Sequence, residues 1–183
     1  MRPVVLSFWI SLDGYSCNEG TELMRFMQEM NDDEEQDEYG VSRLRQAGTF
    51  IMGRVTYEGW AEYWPKSDHP VAEVMNGTPK VVFSRTLKSA GWPETRIASG
   101  DTAEEIARLK AEPGGEIIAH GGVGFARSLI QLGLVDEYRL LVLPAAAGHG
   151  DRLFTGLDRL LTLRLVGSRA FSSGLLELVY SPS

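Results

Sequence analysis

One cysteine, Cys17, in 183 residues excludes a disulfide framework and any zinc site built from clustered cysteines. No run of about 18 uncharged apolar residues exists, so no transmembrane helix is expected. The opening segment MRPVVLSFWISLDG is apolar but lacks a small-residue cleavage site after a proper hydrophobic region. It reads as a strand rather than a signal peptide. Such cysteine usage makes the cytoplasm the expected compartment. Basic residues are also scarce, 18 against 25 acidic ones, and they form no patch, which argues against nucleic acid as a partner. The net charge of −7 is itself local: Asp32, Asp33, Glu34, Glu35, Asp37 and Glu38 stand in one short run. Elsewhere acids and bases nearly balance, and the run reads as a solvated helix end or loop.

What is present is an alternation of strand and helix signals. The length suits one domain, residues 1–183, and is too short for two ordinary ones. Val4 to Leu12 predicts a strand, and Thr21 caps a helix with Leu23, Met24, Phe26 and Met27 among its apolar positions. A second helical piece is expected around Tyr39 to Ala47, then a short strand from Thr49 to Met52. Gly53-Arg54 opens a helix carrying Tyr57 and Trp60. Lys80 to Ser84 and Thr95 to Ala98 predict two more strands. Asp101 caps an amphipathic helix with Ile106, Ala107 and Leu109 inward. Ile117 to His120 is a strand with a helix after Gly124. Tyr138 to Pro144, Leu161 to Phe171 and Leu175 to Ser181 are the last strands, with no helix between them. The predicted fold is therefore α/β, with helices on both faces of a mostly parallel sheet whose C-terminal strands are antiparallel.

Three strand-to-helix junctions carry the chemistry. Ile117-Ile118-Ala119-His120 runs into Gly121-Gly122-Val123-Gly124 and then an apolar helix beginning at Phe125. Glycines there point backbone N–H groups and a helix N-terminus at one spot, which suits a phosphate. The same glycines also suit a tight turn that needs them only for their dihedrals. At Met52-Gly53-Arg54-Val55-Thr56 a strand again passes through glycine, with an arginine in the turn and a hydroxyl beyond it. At Ser84-Arg85-Thr86 two hydroxyls flank a guanidinium, whose planar fork matches phosphate oxygens. Arg54 and Arg85 also read as surface arginines covering apolar area with their stems. Ligands of open α/β sheets bind at strand carboxyl ends, and all three junctions lie there. The run from Gly122 lacks the third glycine of the dinucleotide fingerprint and comes late in the chain, so a different nucleotide fold is required.

The chain resembles the dihydrofolate reductase-like superfamily, and within it the branch similar to the reductase (C-terminal) domain of bacterial riboflavin biosynthesis. The resemblance rests on SLDGY (Ser11 to Tyr15), MGRVTYE (Met52 to Glu58), VFSRT (Val82 to Thr86), HGGVGFARSL (His120 to Leu129) and GLVDEYRLLVLPAAAGHGDRLF (Gly133 to Phe154). It spans nearly the whole chain in the right order. It implies NADPH as hydride donor, with Gly53, Arg54 and Thr56 near the cofactor phosphates and Ser84-Arg85 at the adenosine 2'-phosphate. Gly121, Gly122, Val123 and Gly124, with Phe125, would cradle the pyrophosphate and approach the nicotinamide. It also implies a cis peptide between Gly121 and Gly122, and a homodimer through the C-terminal strands.

On the substrate side the resemblance points to Glu22 as proton donor, since Glu22-Leu23-Met24-Arg25-Phe26 fits the acid–apolar–phenylalanine spacing of folate reductases. Those enzymes' tryptophan and leucine-proline element is missing before it. Glu22 also fits a helix-start carboxylate stabilised by the dipole. Asp13 is the other candidate catalytic carboxylate, although aspartate in an L-D-G-Y turn commonly caps backbone N–H groups. Trp9, on the first strand, is a candidate substrate contact or simply core. His120 stands where the riboflavin branch tends to carry a glutamate for its substrate, and it can donate a hydrogen bond or shuttle a proton. His149 reads as part of a flexible turn. The zinc deaminase half of bifunctional riboflavin enzymes cannot be built from one cysteine, and no metal site is expected. Two functions follow. One is an NADPH-dependent reductase of a small pterin-like or ribosylaminopyrimidine-like substrate; the other is an NADP(H)-binding module without turnover.

Overall fold

The computed structural model describes residues 1–18, 20–30 and 34–183. Among these residues eight strands form a sheet in the order β4-β3-β2-β5-β1-β6-β8-β7. They are β1 Val4–Ser11, β2 Ala47–Gly53, β3 Lys80–Phe83, β4 Thr95–Ala98, β5 Glu116–His120, β6 Glu137–Leu143, β7 Leu163–Ala170 and β8 Leu176–Pro182. The first six run parallel, and β8 and β7 are antiparallel to β6 and to each other. The helices are α1 Glu22–Glu29, α2 Glu34–Leu44, α3 Arg54–Tyr63, α4 Ala72–Gly77, α5 Thr102–Ala111 and α6 Val123–Gln131. A 3-10 turn, Trp64–Lys66, follows α3. No helix among the described residues is long and apolar enough to cross a membrane.

Alternation along β1 assigns the two faces. Val4, Leu6, Phe8 and Ile10 pack with Ile117, Ala119, Ile106 and Leu129, so α5 and α6 cover that side. Val5 faces the other way with Phe50, Met52, Val82 and Ile118, beneath Tyr57 of α3 and Met75 of α4. Further along this second face Trp9 joins Leu143 and Leu175 under Leu23, Phe26 and Met27 of α1. Apolar pairing of a central strand on both faces is what a sheet covered by helices on two sides requires.

Several element limits differ from the sequence expectation. The helix expected around Tyr39 begins at Glu34, inside the acidic run, because acids are favourable in a first turn. Asp32 and Asp33 of that run lie outside the described residues. Ala47 starts β2 rather than ending the preceding helix. In α5 it is Glu105, not Ala107, that is buried, since Glu105 pairs with Arg96 and, at 2.7 Å, with Arg108. The cap by Asp101 is as expected, its carboxylate accepting from Glu104 N–H at 3.0 Å. The short helix α4 carried no periodic signal at six residues. It is held by Lys80, whose buried ammonium donates to the carbonyls of Met75, Asn76 and Thr78 at 3.0, 3.0 and 2.7 Å.

Candidate cofactor and substrate cleft

Sheet order sets the carboxyl ends of β3, β2, β5, β1 and β6 side by side along one edge. The β2 and β5 junctions interlock there. Gly121 and Gly122 have φ of +54° and +69°, a region open to glycine, and Gly122 directly precedes α6. A Cβ on Gly121 would stand 2.6 Å from Thr56 Cγ2 and 2.9 Å from its Oγ1, and one on Gly122 would stand 3.0 Å from the same oxygen. The Thr56 side chain therefore lies against the glycine pair. Gly53, which precedes α3, approaches Phe125 so closely that its Cβ would be 3.2 Å from Phe125 Cβ. Phe125 in turn packs on Phe83 with ring centroids 5.0 Å apart, tying in the end of β3.

Neither helix start has a side-chain cap: Gly53 and Gly122 occupy the cap positions of α3 and α6. Two sets of first-turn N–H groups thus open on neighbouring strand ends, an arrangement that favours anions. Gly124 has open space around its Cα, and Val123 is half-buried. At β3, Ser84 Oγ accepts from Thr86 N–H at 3.2 Å and Leu87 N–H at 3.0 Å, folding the turn around Arg85. Arg85 is exposed and pairs with none of the described residues. Arg54 instead makes a two-oxygen contact with Glu58 at 2.9 and 2.8 Å on the surface of α3.

The cis peptide expected at Gly121-Gly122 is not found; no peptide bond among the described residues is cis. Two consecutive glycines with positive φ turn the chain from β5 into α6 through trans bonds, so the costly isomer is not needed.

Trp9 and His120 both lie on the second face. Ser7 is paired in register with His120 of β5 on one side and Arg139 of β6 on the other. A residue in the middle of a central strand is ordinarily sealed, as Leu6 and Phe8 are at 1% and 5% exposure. Ser7, Trp9 and His120 all keep partial exposure. A cleft therefore reaches the sheet between α1 and α3. His120 lies edge-on to Phe50, centroids 5.0 Å apart, and 5.3 Å from Trp60. Its Nε2 is buried without a hydrogen-bond partner among the described residues. Burial pushes the imidazole down to about 4, so it is neutral at neutral pH.

The two carboxylates differ in engagement. Asp13 Oδ1 accepts from Ser11 Oγ at 2.6 Å and Ala147 N–H at 2.9 Å, and Oδ2 accepts from Gly148 N–H at 2.8 Å. These bonds hold its carboxyl at about 2. They fasten the β1–α1 loop to the segment after β6, helped by Leu12 N–H to Ala145 O and Ser16 N–H to Asp151 O, at 2.8 and 2.7 Å. Glu22 is the exposed first residue of α1, with Thr21 as the cap. It makes no hydrogen bond or ion pair with the described residues. His149 is exposed on the loop between Gly148 and Gly150, which have φ of +71° and +120°. Ser7, Phe50 and Trp60 escaped the sequence reading of this cleft. Only Trp60 had a signal, one helical turn beyond Thr56.

A mostly parallel sheet with an antiparallel C-terminal hairpin and uncapped helix starts at its carboxyl edge is a dihydrofolate reductase-like architecture. The chain belongs to the RibD C-terminal domain family, whose sequence model matches residues 2–176. It is 31% identical over 184 residues to the uncharacterized protein YyaP of Bacillus subtilis (strain 168), covering 98% of this chain and 94% of that one. Among solved structures it is similar to a Shewanella sp. PV-4 protein ascribed to riboflavin biosynthesis. That likeness has a TM-score of 0.81 and 22% identity, over 100% of this chain and 99% of the other. It is also similar to the Enterococcus faecalis dihydrofolate reductase complexed with NADP(H) and RAB-propyl, with a TM-score of 0.59 and 14% identity over 99% and 96% of the two chains. Both likenesses bear on the fold, and family and fold together support a reductase-type module.

Proposed function

We propose that the protein is an NADPH-dependent reductase that delivers hydride to a small heteroaromatic or sugar-linked acceptor, pterin-like or ribosylaminopyrimidine-like. The observation that carries this reading is the interlock of Gly121-Gly122 with Thr56. A Cβ on either glycine would run into Thr56, so the turn stays close to α3. The uncapped N–H groups at the start of α6 open one strand from Gly53 and two from Arg85, which has no ion pair among the described residues. Those groups fit a dinucleotide: Gly121, Gly122, Val123 and Gly124 at the pyrophosphate, Gly53, Arg54 and Thr56 beside it, and Ser84-Arg85 at the 2'-phosphate. Bound there, NADPH supplies the hydride.

The chain's own residues orient and protonate. Phe125 closes the glycine turn from behind, and Trp9 and His120 border the place of the acceptor. Glu22, or water at the cleft mouth, supplies the proton. Asp13 acts as a positioning residue: it holds the β1–α1 loop to the segment beyond β6, so the cleft keeps its upper wall. The single cysteine and the use of NADPH fit the cytoplasm, and the exposed β7 edge fits a homodimer through the C-terminal strands.

Titration with NADPH and NADH, followed by absorbance at 340 nm with a panel of pterins and aminopyrimidines, tests the reading. Saturable NADPH binding with oxidation is expected. Absence of NADPH binding overturns it, and binding without turnover on any acceptor favours a non-catalytic module.

A further inference from the structure

Granted the reductase reading, we infer that the cleft floor takes an uncharged ring, received at its edge by Ser7 and His120 and on its face by Trp60, and that it rejects a ring bearing a carboxylate at that edge. The inference starts from the row His120–Ser7–Arg139, three cross-strand neighbours on one face of the sheet. The Ser7 hydroxyl makes no hydrogen bond with the described residues, and neither does the His120 imidazole; its Nε2 is buried, so Nδ1 is the imidazole nitrogen left to a ligand. The hydroxyl offers a donor and an acceptor, and the accessible imidazole nitrogen offers one or the other by tautomer, so together they match the adjacent N–H and C=O of a cyclic amide. The indole of Trp60, 5.3 Å from the imidazole, adds an aromatic face.

Charge decides against an anion. Arg139 is the cation of this row, and it is already engaged, through Nη2 to Glu116 at 2.7 Å and through Nε to Glu137 at 2.6 Å. Its side chain is only 5% exposed. Arg43 and Arg169, which line the same pocket as Arg139, are likewise paired, with Glu177 and Glu35, so that end of the row holds no free cation. His120 offers no compensating charge, because burial keeps it neutral down to about pH 4. A carboxylate entering the floor would shed its hydration with no free cation to meet it, the costly case of an uncompensated charge.

Calorimetric titration of the full chain, with and without saturating NADP+, tests this with quinoxalin-2-one and its 3-carboxylate as probes. The neutral lactam is expected to bind at least about ten-fold tighter than the acid. His120→Ala should weaken the lactam about five-fold or more and leave the acid's weak binding unchanged. Ser7→Lys places a cation on the floor and is expected to invert the preference; if that variant unfolds, His120→Arg makes the same test. Equal or tighter binding of the carboxylate by the unaltered protein overturns the inference, and so does failure of the lactam to bind. The NADP+ arm reads the reductase proposal separately. Lactam binding without NADP+ binding removes that proposal and keeps the floor's selectivity, whereas NADP+ binding without lactam selectivity does the reverse.

Discussion

A guanidinium with no ion pair among the described residues, such as that of Arg85, is available to a ligand phosphate. Arg85→Ala should therefore raise the Kd for NADPH by about 10- to 100-fold, the range for a charge-assisted hydrogen bond. The Kd for NADH should stay nearly unchanged; equal losses in a fluorescence titration would contradict a 2'-phosphate contact. Acid stability reports on two other residues. His120 is held at about 4 in the fold against 6.5 in the unfolded chain. The unfolded state then binds more protons between those values, so stability is complete above pH 6.5 and declines as pH falls towards 4. At its fullest the loss is roughly 3 kcal/mol. Asp13, held near 2 against 3.8, gives a lower limb that is lost as pH falls through that window. Urea melts across pH should lose the upper limb in His120→Gln and the lower one in Asp13→Asn. The capping use of Asp13 was legible because the L-D-G-Y turn is local. The surroundings of His120 were not, since Phe50 and Trp60 reach it from a different strand and a helix.

The glycine turn between β5 and α6 separates fold from binding more sharply than any other element. Gly121→Ala would drive a methyl group to 2.6 Å from Thr56 Cγ2 at a φ of +54°. It should cost about 1–3 kcal/mol in a thermal melt as well as cofactor affinity. Gly124→Ala meets open space inside α6 and should hold or raise stability by up to about 1 kcal/mol. It should still weaken NADPH if that surface carries the pyrophosphate, and unchanged affinity would move the pyrophosphate elsewhere. Helix α4 depends on a buried ammonium in a comparable way. Lys80→Met leaves three carbonyls at the helix end without their donor, and should lower stability by about 2–3 kcal/mol with NADPH affinity intact. Strong elements with local caps, such as α5 behind Asp101, could be read from sequence. Helix α4 could not, because its stabilising group comes from the next strand.

Across the whole molecule, the antiparallel end of the sheet was legible because no helix separates β6, β7 and β8 in sequence. The strand order was legible only as a class: which strands flank β1 depends on packing between distant residues rather than on any local pattern. Strand β7 ends the sheet with Leu165 and Val166 at 52% and 53% exposure, an edge that a second copy would cover. Sedimentation should show a dimer, and Leu165→Lys with Val166→Lys should yield a folded monomer; a monomeric unaltered chain would remove the proposal. The position of β1 has its own consequence for synthesis. Its two neighbours, β5 and β6, begin at Glu116 and Glu137, so during translation an apolar strand waits with both edges bare until most of the chain has left the ribosome. Truncated or stalled products would carry that strand unpaired, and they are the species of this protein that would most need a chaperone.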